Sequence, residues 1–160
     1  MAQNIQFIKC IILTLRSQNV LVPSSSIAEM VSAQGVMRVQ SMPAWYVGKM
    51  RWHGVDVPLV SFEAAEGAAI KAVNQNTQVA MIYTASDNES RYPYIGLIVS
   101  GVPHVTQFSR DQIVVDPDSL LDVHSHPMVI QKTRINGAAV SILDIDGIEN
   151  MIKEAEAGQN

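Results

Sequence analysis

The chain has 160 residues, 48% of them apolar, and a formal net charge of −4 from eleven Lys and Arg against fifteen Asp and Glu. That is enough apolar chain for one buried core or for two small units sharing one. Scattered cations on an acidic chain argue against nucleic acid, whose phosphates demand clustered Lys and Arg. The single cysteine, Cys10, rules out an internal disulfide and suits a reducing compartment. The apolar run Ile11-Ile12-Leu13, between Lys9 and Arg16, is too short to span a membrane, so a cytoplasmic protein without membrane insertion is expected.

Short β segments dominate the pattern. Phe7 to Leu15 and Asn19 to Val22 flank Arg16-Ser17-Gln18 and predict a first hairpin with a three-residue loop. Ser26-Ile27-Ala28-Glu29 has the form of a capping box, which predicts a short helix ending near Gly35. Val36 to Val39 then reads as a middle strand. Next comes Arg51-Trp52-His53-Gly54-Val55-Asp56, in which an x-Gly pair between strand formers signals a tight two-residue turn with positive φ. Gly67 to Asn76 lacks an apolar period and reads as a connector.

The second half follows the same order. Gln78 to Ala85 and Tyr92 to Val99 flank Ser86-Asp87-Asn88-Glu89-Ser90 as a second leading hairpin, and Val102 to Phe108 is the expected middle strand. The stretch from Arg51 to Glu63 then returns in outline 83 positions later as Arg134 to Asp146, with Asn136-Gly137 at the turn. A repeat of this kind marks a duplicated unit, so two similar half-domains, about 5–70 and 77–155 within 5–155, are expected, with chance similarity of two short hairpins as the alternative. The last segment is the clearest helix. Asp146 and Glu149 form a second capping pair, and Ile148, Met151, Ile152 and Ala155 share one face that must be buried.

Chemistry-bearing clusters are few. Asp116-Pro117-Asp118-Ser119-Leu120-Leu121-Asp122-Val123-His124-Ser125-His126 contains residue types that bind zinc or a first-row metal, centred on Asp118, Asp122, His124 and His126. Its Pro and Asp content is that of a solvated surface loop, and it has neither a Cys nor helical His spacing, so the loop reading outweighs a metal site or a β-barrel enzyme. Ser24-Ser25-Ser26 lacks a Gly-x-Ser-x-Gly setting, Cys10 sits in an apolar strand, and His104 lies among apolar neighbours. No catalytic site, metal or cofactor is expected. Self-association as a structural β module is a third reading.

Trp45, Tyr46 and Trp52 cluster near the first repeated turn, either as a partner hot spot or as core plugs. Strand alternation puts Met50 and Trp52 on one face and Arg51 and His53 on the other. Trp52 is therefore expected in the core, with Arg51 and His53 displayed.

The stretch from Met42 to Val60, which includes Pro43, Gly48, the Arg51-Trp52-His53-Gly54 turn and Pro58-Leu59-Val60, resembles the central hairpin of the CheW-like domain, the coupling module of bacterial chemosensory systems. Ile95-Gly96-Leu97-Ile98-Val99 is similar to that family's apolar strand in the second half. Ile135-Asn136-Gly137 with Ile142-Leu143-Asp144-Ile145 is similar to its closing hairpin. The resemblance implies a mainly β fold of two five-stranded SH3-like barrels in one compact unit, a short helix after the first hairpin, a C-terminal helix, and no catalysis. It also implies an adaptor between the cytoplasmic tip of a chemoreceptor and the regulatory domain of a histidine kinase.

The chain departs from the family pattern at several positions. The family's turn carries asparagine and arginine where this chain has Arg51 and His53, an acidic residue where it has Ser61, and an acidic pair where it has Ser100-Gly101. A neutral histidine cannot make the permanent forked bond of an arginine. These departures suggest a divergent member of an accessory pathway, such as those that control pilus-based surface motility. The expected partner-binding residues are Val31, Met50, Arg51, His53, Gly54, Ser61 and Ser100, on the turn's polar face, in a groove near Val31 and Met50, and along a strand edge.

Overall fold

The computed structural model describes residues 6–84, 91–117 and 126–158. In chain order these form β1 (Phe7–Thr14), β2 (Asn19–Pro23), β3 (Ile27–Ser32), β4 (Tyr46–Trp52), β5 (Val55–Val60), α1 (Phe62–Ala65), β6 (Gln78–Tyr83), β7 (Tyr94–Val99), β8 (His104–Ser109), β9 (Ile113–Val115), β10 (Val129–Ile135), β11 (Ala138–Leu143) and α2 (Ile145–Ala157), with one-turn 3-10 helices at Ser24–Ser26 and Arg110–Gln112. The strands make two sheets, in the orders β8-β1-β2-β11-β10-β9 and β3-β6-β7-β5-β4. The molecule is mainly β, as its strand formers and x-Gly turns foretell.

Set side by side, the two orders show the duplication. The first five strands of one sheet, β8-β1-β2-β11-β10, match β3-β6-β7-β5-β4 position by position. Each sheet holds one x-Gly hairpin, β10–β11 or β4–β5, and one parallel seam, β2 with β11 or β5 with β7. The leading hairpins are exchanged. The β1–β2 hairpin joins the sheet of β8 to β11, and the β6–β7 hairpin joins that of β3 to β5. Each sheet therefore depends on strands from both halves of the chain.

Alternation along the strands divides the core into three parts. Leu13, Val20, Val22, Ile82, Ile95 and Leu97 point between the sheets, where Ile148 and Ile152 of α2 join them. Val57, Leu59, Val79 and Met81 fill the inside of the second sheet, and Cys10, Leu21, Phe108 and Val140 that of the first. β6 and β7 bury both faces, which is why both read as unbroken apolar runs. Gly96 is required in β7 because a Cβ there would run into Leu59 Cδ2 across the parallel seam and into Val79 Cγ1 on β6.

Three local expectations are corrected. The helix expected from Ser26 to Gly35 is strand β3, and the single helical turn lies just ahead of it at Ser24–Ser26. A capping box contributes only about 1 kcal/mol, whereas β3 gains an antiparallel ladder with β6 and buries part of Ile27, Met30 and Val31. Val36 to Val39 forms no strand, since Met37 makes only an isolated bridge to Lys49. The last helix is capped by Asp144, whose Oδ1 accepts from Gly147 N at 2.9 Å, so Asp146 lies inside the first turn. Its buried face is the one the spacing predicts. No helix of the described residues is long and apolar enough to cross a membrane.

Candidate partner-binding site

The β4–β5 hairpin carries the expected display. His53 and Gly54 adopt φ of 50° and 78°, the paired left-handed residues of a type I′ turn. Arg51 stands opposite Asp56 across the ladder, its Nη1 3.5 Å from Oδ1, while Nη2 donates to Gly54 O at 3.1 Å. His53 lies over Trp52 with ring centroids 4.0 Å apart, and its Nε2 is 4.0 Å from Glu29 Oε2 on β3.

Trp52 is half-buried and packs inside the second sheet. It meets Tyr94 edge-on at 4.8 Å, and Tyr94 meets Tyr83 at 5.5 Å. A row of rings, Tyr83-Tyr94-Trp52-His53, thus closes one end of the sheet, with Tyr83 and His53 exposed at its ends. Rings in such a row offer large contact area at low rotamer cost. Trp52 plugs the core and supports the displayed residues together. Tyr46 is buried, and Trp45 is half-buried against the core between the sheets.

On the opposite face of β4 an open cleft of about 360 Å³ is lined by Lys49, Arg51, Gly54, Val55, Asp56, Arg91, Tyr92 and Pro93. Behind it, Glu156 of α2 accepts from Tyr46 Oη at 2.8 Å and Tyr92 Oη at 2.5 Å. Lys49 Nζ stands 3.5 Å from one carboxylate oxygen and Arg91 Nη1 3.2 Å from the other. Burial pushes the Glu156 carboxyl up, but the two phenol hydrogen bonds and the two cations outweigh it and hold it below the usual carboxylate range. Burial, then the bond to Glu156, pushes the Tyr46 phenol far up. This cluster clamps the last turn of α2 to β4.

The remaining expected residues are dispersed. Val31 is half-buried on β3, among the residues inside the second sheet. Met50 is 3% exposed and points into that same interior, so it lines no docking groove. Ser61 is also buried and caps α1, its Oγ accepting from Ala64 N at 3.2 Å. Ser100 is exposed, and its N donates to Thr14 O at 2.8 Å. Ser61 and Ser100 border a larger cavity of about 670 Å³ between the 70–78 connector and the loop after β7. No residue lines both spaces. The structure brings Arg51, His53 and Gly54 together and places Ser61 and Ser100 elsewhere.

The acidic segment has a different outcome at its end. Asp118, Asp122 and His124 lie outside the described residues. His126 is no solvated loop residue. It is buried, stacks on Phe62 at 3.8 Å and 11°, takes Met128 N on Nδ1 at 3.0 Å, and faces Phe62 O through Nε2 at 3.0 Å. The bond to Nδ1 puts the neutral ring's proton on Nε2. Among the described residues no group of three His, Cys, Asp or Glu stands together to hold a metal.

Sequence reasoning missed Lys49, Arg91, Tyr92 and Glu156 as one group. Tyr46 and Glu156 are 110 positions apart, and no local pattern links a helix end to a strand at that distance. The only signal was a carboxylate following Ala155 on the border of the apolar face of α2.

A model of the CheW-like domain matches residues 9–153. Among solved structures, the fold is similar to the scaffolding protein TtCheW from Thermoanaerobacter tengcongensis, with a TM-score of 0.67 over 86% of this chain and 89% of that one at 14% identity. No curated protein matches the sequence significantly.

Proposed function

Because this chain belongs to the CheW-like domain family, we propose that it is a non-enzymatic adaptor joining the cytoplasmic tip of a chemoreceptor to the regulatory domain of a histidine kinase. The observation that carries this reading is the family match across residues 9–153, nearly the whole chain. A bridging protein needs two surfaces that do not compete. The cleft at the β4–β5 turn and the cavity beside Ser100 have no lining residue in common, which supports the reading. The first surface comprises Arg51 and Gly54 in the cleft and His53 at the end of the ring row, on the two faces of the turn. The second comprises Ser100 and the connector.

The departures at the turn favour an accessory pathway over a main chemotaxis array, with pilus-based surface motility as the output to examine. The protein acts in the cytoplasm in this reading.

Titration calorimetry against the kinase regulatory domain and a receptor-tip fragment from the same organism tests it. Micromolar binding to either, about −8 kcal/mol, is the expected result. Arg51→Glu should weaken the affected complex by about 1–3 kcal/mol. Silence toward both partners would overturn the adaptor reading, and an unchanged affinity would remove Arg51 from the surface.

A further inference from the structure

Three of the chain's eleven Lys and Arg, namely Lys49, Arg51 and Arg91, converge on the cleft of about 360 Å³ at the β4–β5 turn, on a molecule whose net charge is −4. Among the described residues two carboxylates answer them, and neither closes the space. Asp56 sits beside Arg51 on the wall, 3.5 Å away. The Glu156 side chain is only 10% exposed and lies behind the cleft, where Tyr46 and Tyr92 hold it. Its charge positions Lys49 and Arg91 from below.

The cations are also supported by a ring. Lys49 Nζ lies 5.3 Å and Arg91 Cζ 5.7 Å from the Tyr92 centroid, both within cation–π range. The Arg51 and Arg91 side chains are 69% and 71% exposed. A guanidinium presents five N–H donors. Among the described residues Arg91 donates only to Glu156, and Arg51 donates to Gly54 O and pairs with Asp56. Among the described residues most of each fork therefore remains for a second acceptor. A carboxylate matches that planar fork better than any neutral group does.

We infer that this cleft is a docking site for an acidic segment of a partner protein, whose Asp or Glu side chains accept forked hydrogen bonds from Arg51 and Arg91. On an acidic chain the cleft is a local positive spot, which orients a carboxylate-bearing surface at short range and does not gather polyanions at large. The partner being a protein rests on the adaptor reading. The chemistry it must present rests on the cleft alone.

The test is an amide NMR titration of the full chain with a ten-residue polyglutamate peptide, with polylysine and a ten-nucleotide oligothymidine as counter-probes. Polyglutamate should shift the amides of Gly54, Val55 and Tyr92, the shifts should collapse at about 0.5 M salt, and polylysine should leave these amides still. The Arg51→Gln/Arg91→Gln variant should bind about tenfold more weakly with its remaining spectrum unchanged, which separates lost contact from lost fold. No shift at the cleft, equal binding by the variant, or equally tight oligothymidine would overturn the inference. The kinase domain and the receptor fragment are titrated in the same series. If at least one of them binds the wild type and every one that binds takes the variant equally well, the cleft is not a docking site and the adaptor reading stands. If neither binds while polyglutamate fills the cleft, the adaptor reading fails and the cleft's chemistry stands.

Discussion

The β4–β5 and β10–β11 hairpins turn through the same backbone. φ is 50° and 78° at His53-Gly54, and 50° and 85° at Asn136-Gly137. Each holds an arginine two residues before its turn, paired with an aspartate at 3.5 Å for Arg51 and 3.6 Å for Arg134. They differ in what surrounds that frame. The aspartate of Arg134 is Asp116, just beyond β9, which pairs along the outer edge of β10 from Ile135 to Thr133. The outer edge of β4 meets only the Met37 bridge among the described residues. Next to its turn the first hairpin has Trp52 and His53, where the second has Ile135 and Asn136. Duplication supplied the scaffold twice, and among the described residues the ring row, the cation cleft and the open edge are seen at the first copy.

The strongest way to break this comparison acts on the parallel seams. In the first sheet Leu21 meets Ile142 side chain to side chain, whereas in the second Leu59 occupies the space over Gly96. Gly96→Val should cost about 3 kcal/mol by overpacking, read as a lower urea midpoint. A neutral result would show that the second sheet relaxes as the first does.

Next in size is Glu156→Gln. It removes a charge held by two phenols and two cations that has no counterpart on the second hairpin. With Lys49 and Arg91 partly in solvent, a loss of about 1–2 kcal/mol is expected, or roughly 2–8 °C in Tm for a chain of this length. The same substitution at Glu154, exposed on the same helix, serves as the control.

Acidification should act in two steps. Burial holds the His126 pKa below its ordinary 6.5, against the opposing pull of the Phe62 carbonyl and of Glu66 and Glu63. The unfolded chain therefore takes up the proton first, so this contribution is complete above pH 6.5 and declines as pH falls below it. Glu156, held below its ordinary 4.5, contributes above that pH, and the contribution is lost as pH falls through the folded value. A Tm profile should slope below pH 6.5 and steepen below 4.5. His126→Asn should be less stable throughout and lack the first slope.

The smallest effect comes from exchanging the turn residues. Asn tolerates positive φ better than His, so His53→Asn should gain, and Asn136→His lose, a few tenths of a kcal/mol. Only the first exchange should alter partner binding. An equal binding change at both turns would erase the functional difference between the hairpins.

The legible parts of the site were those with local signals. Arg51, His53 and Gly54 were placed together by an x-Gly turn and strand alternation, and the same alternation put Trp52 inward. It also put Met50 inward, yet Met50 was expected to line a groove, because alternation says which side a residue faces and not whether that side is closed. Ser61 was taken from the family pattern as a surface position, and the short α1 that it caps had no periodicity to announce it.

The leading and closing hairpins, the two glycine turns and the buried face of α2 were determined by the sequence itself, because hydrophobic period and positive-φ turns act over a few residues. Tertiary structure alone decided that β1–β2 and β6–β7 change sheets, that Ile27 to Ser32 becomes strand, and that Glu156 gathers Lys49, Arg91 and two tyrosines. In each case the deciding energy is a ladder or a desolvated contact between segments far apart in the chain, and such contacts exist only once the sheets have closed over one another.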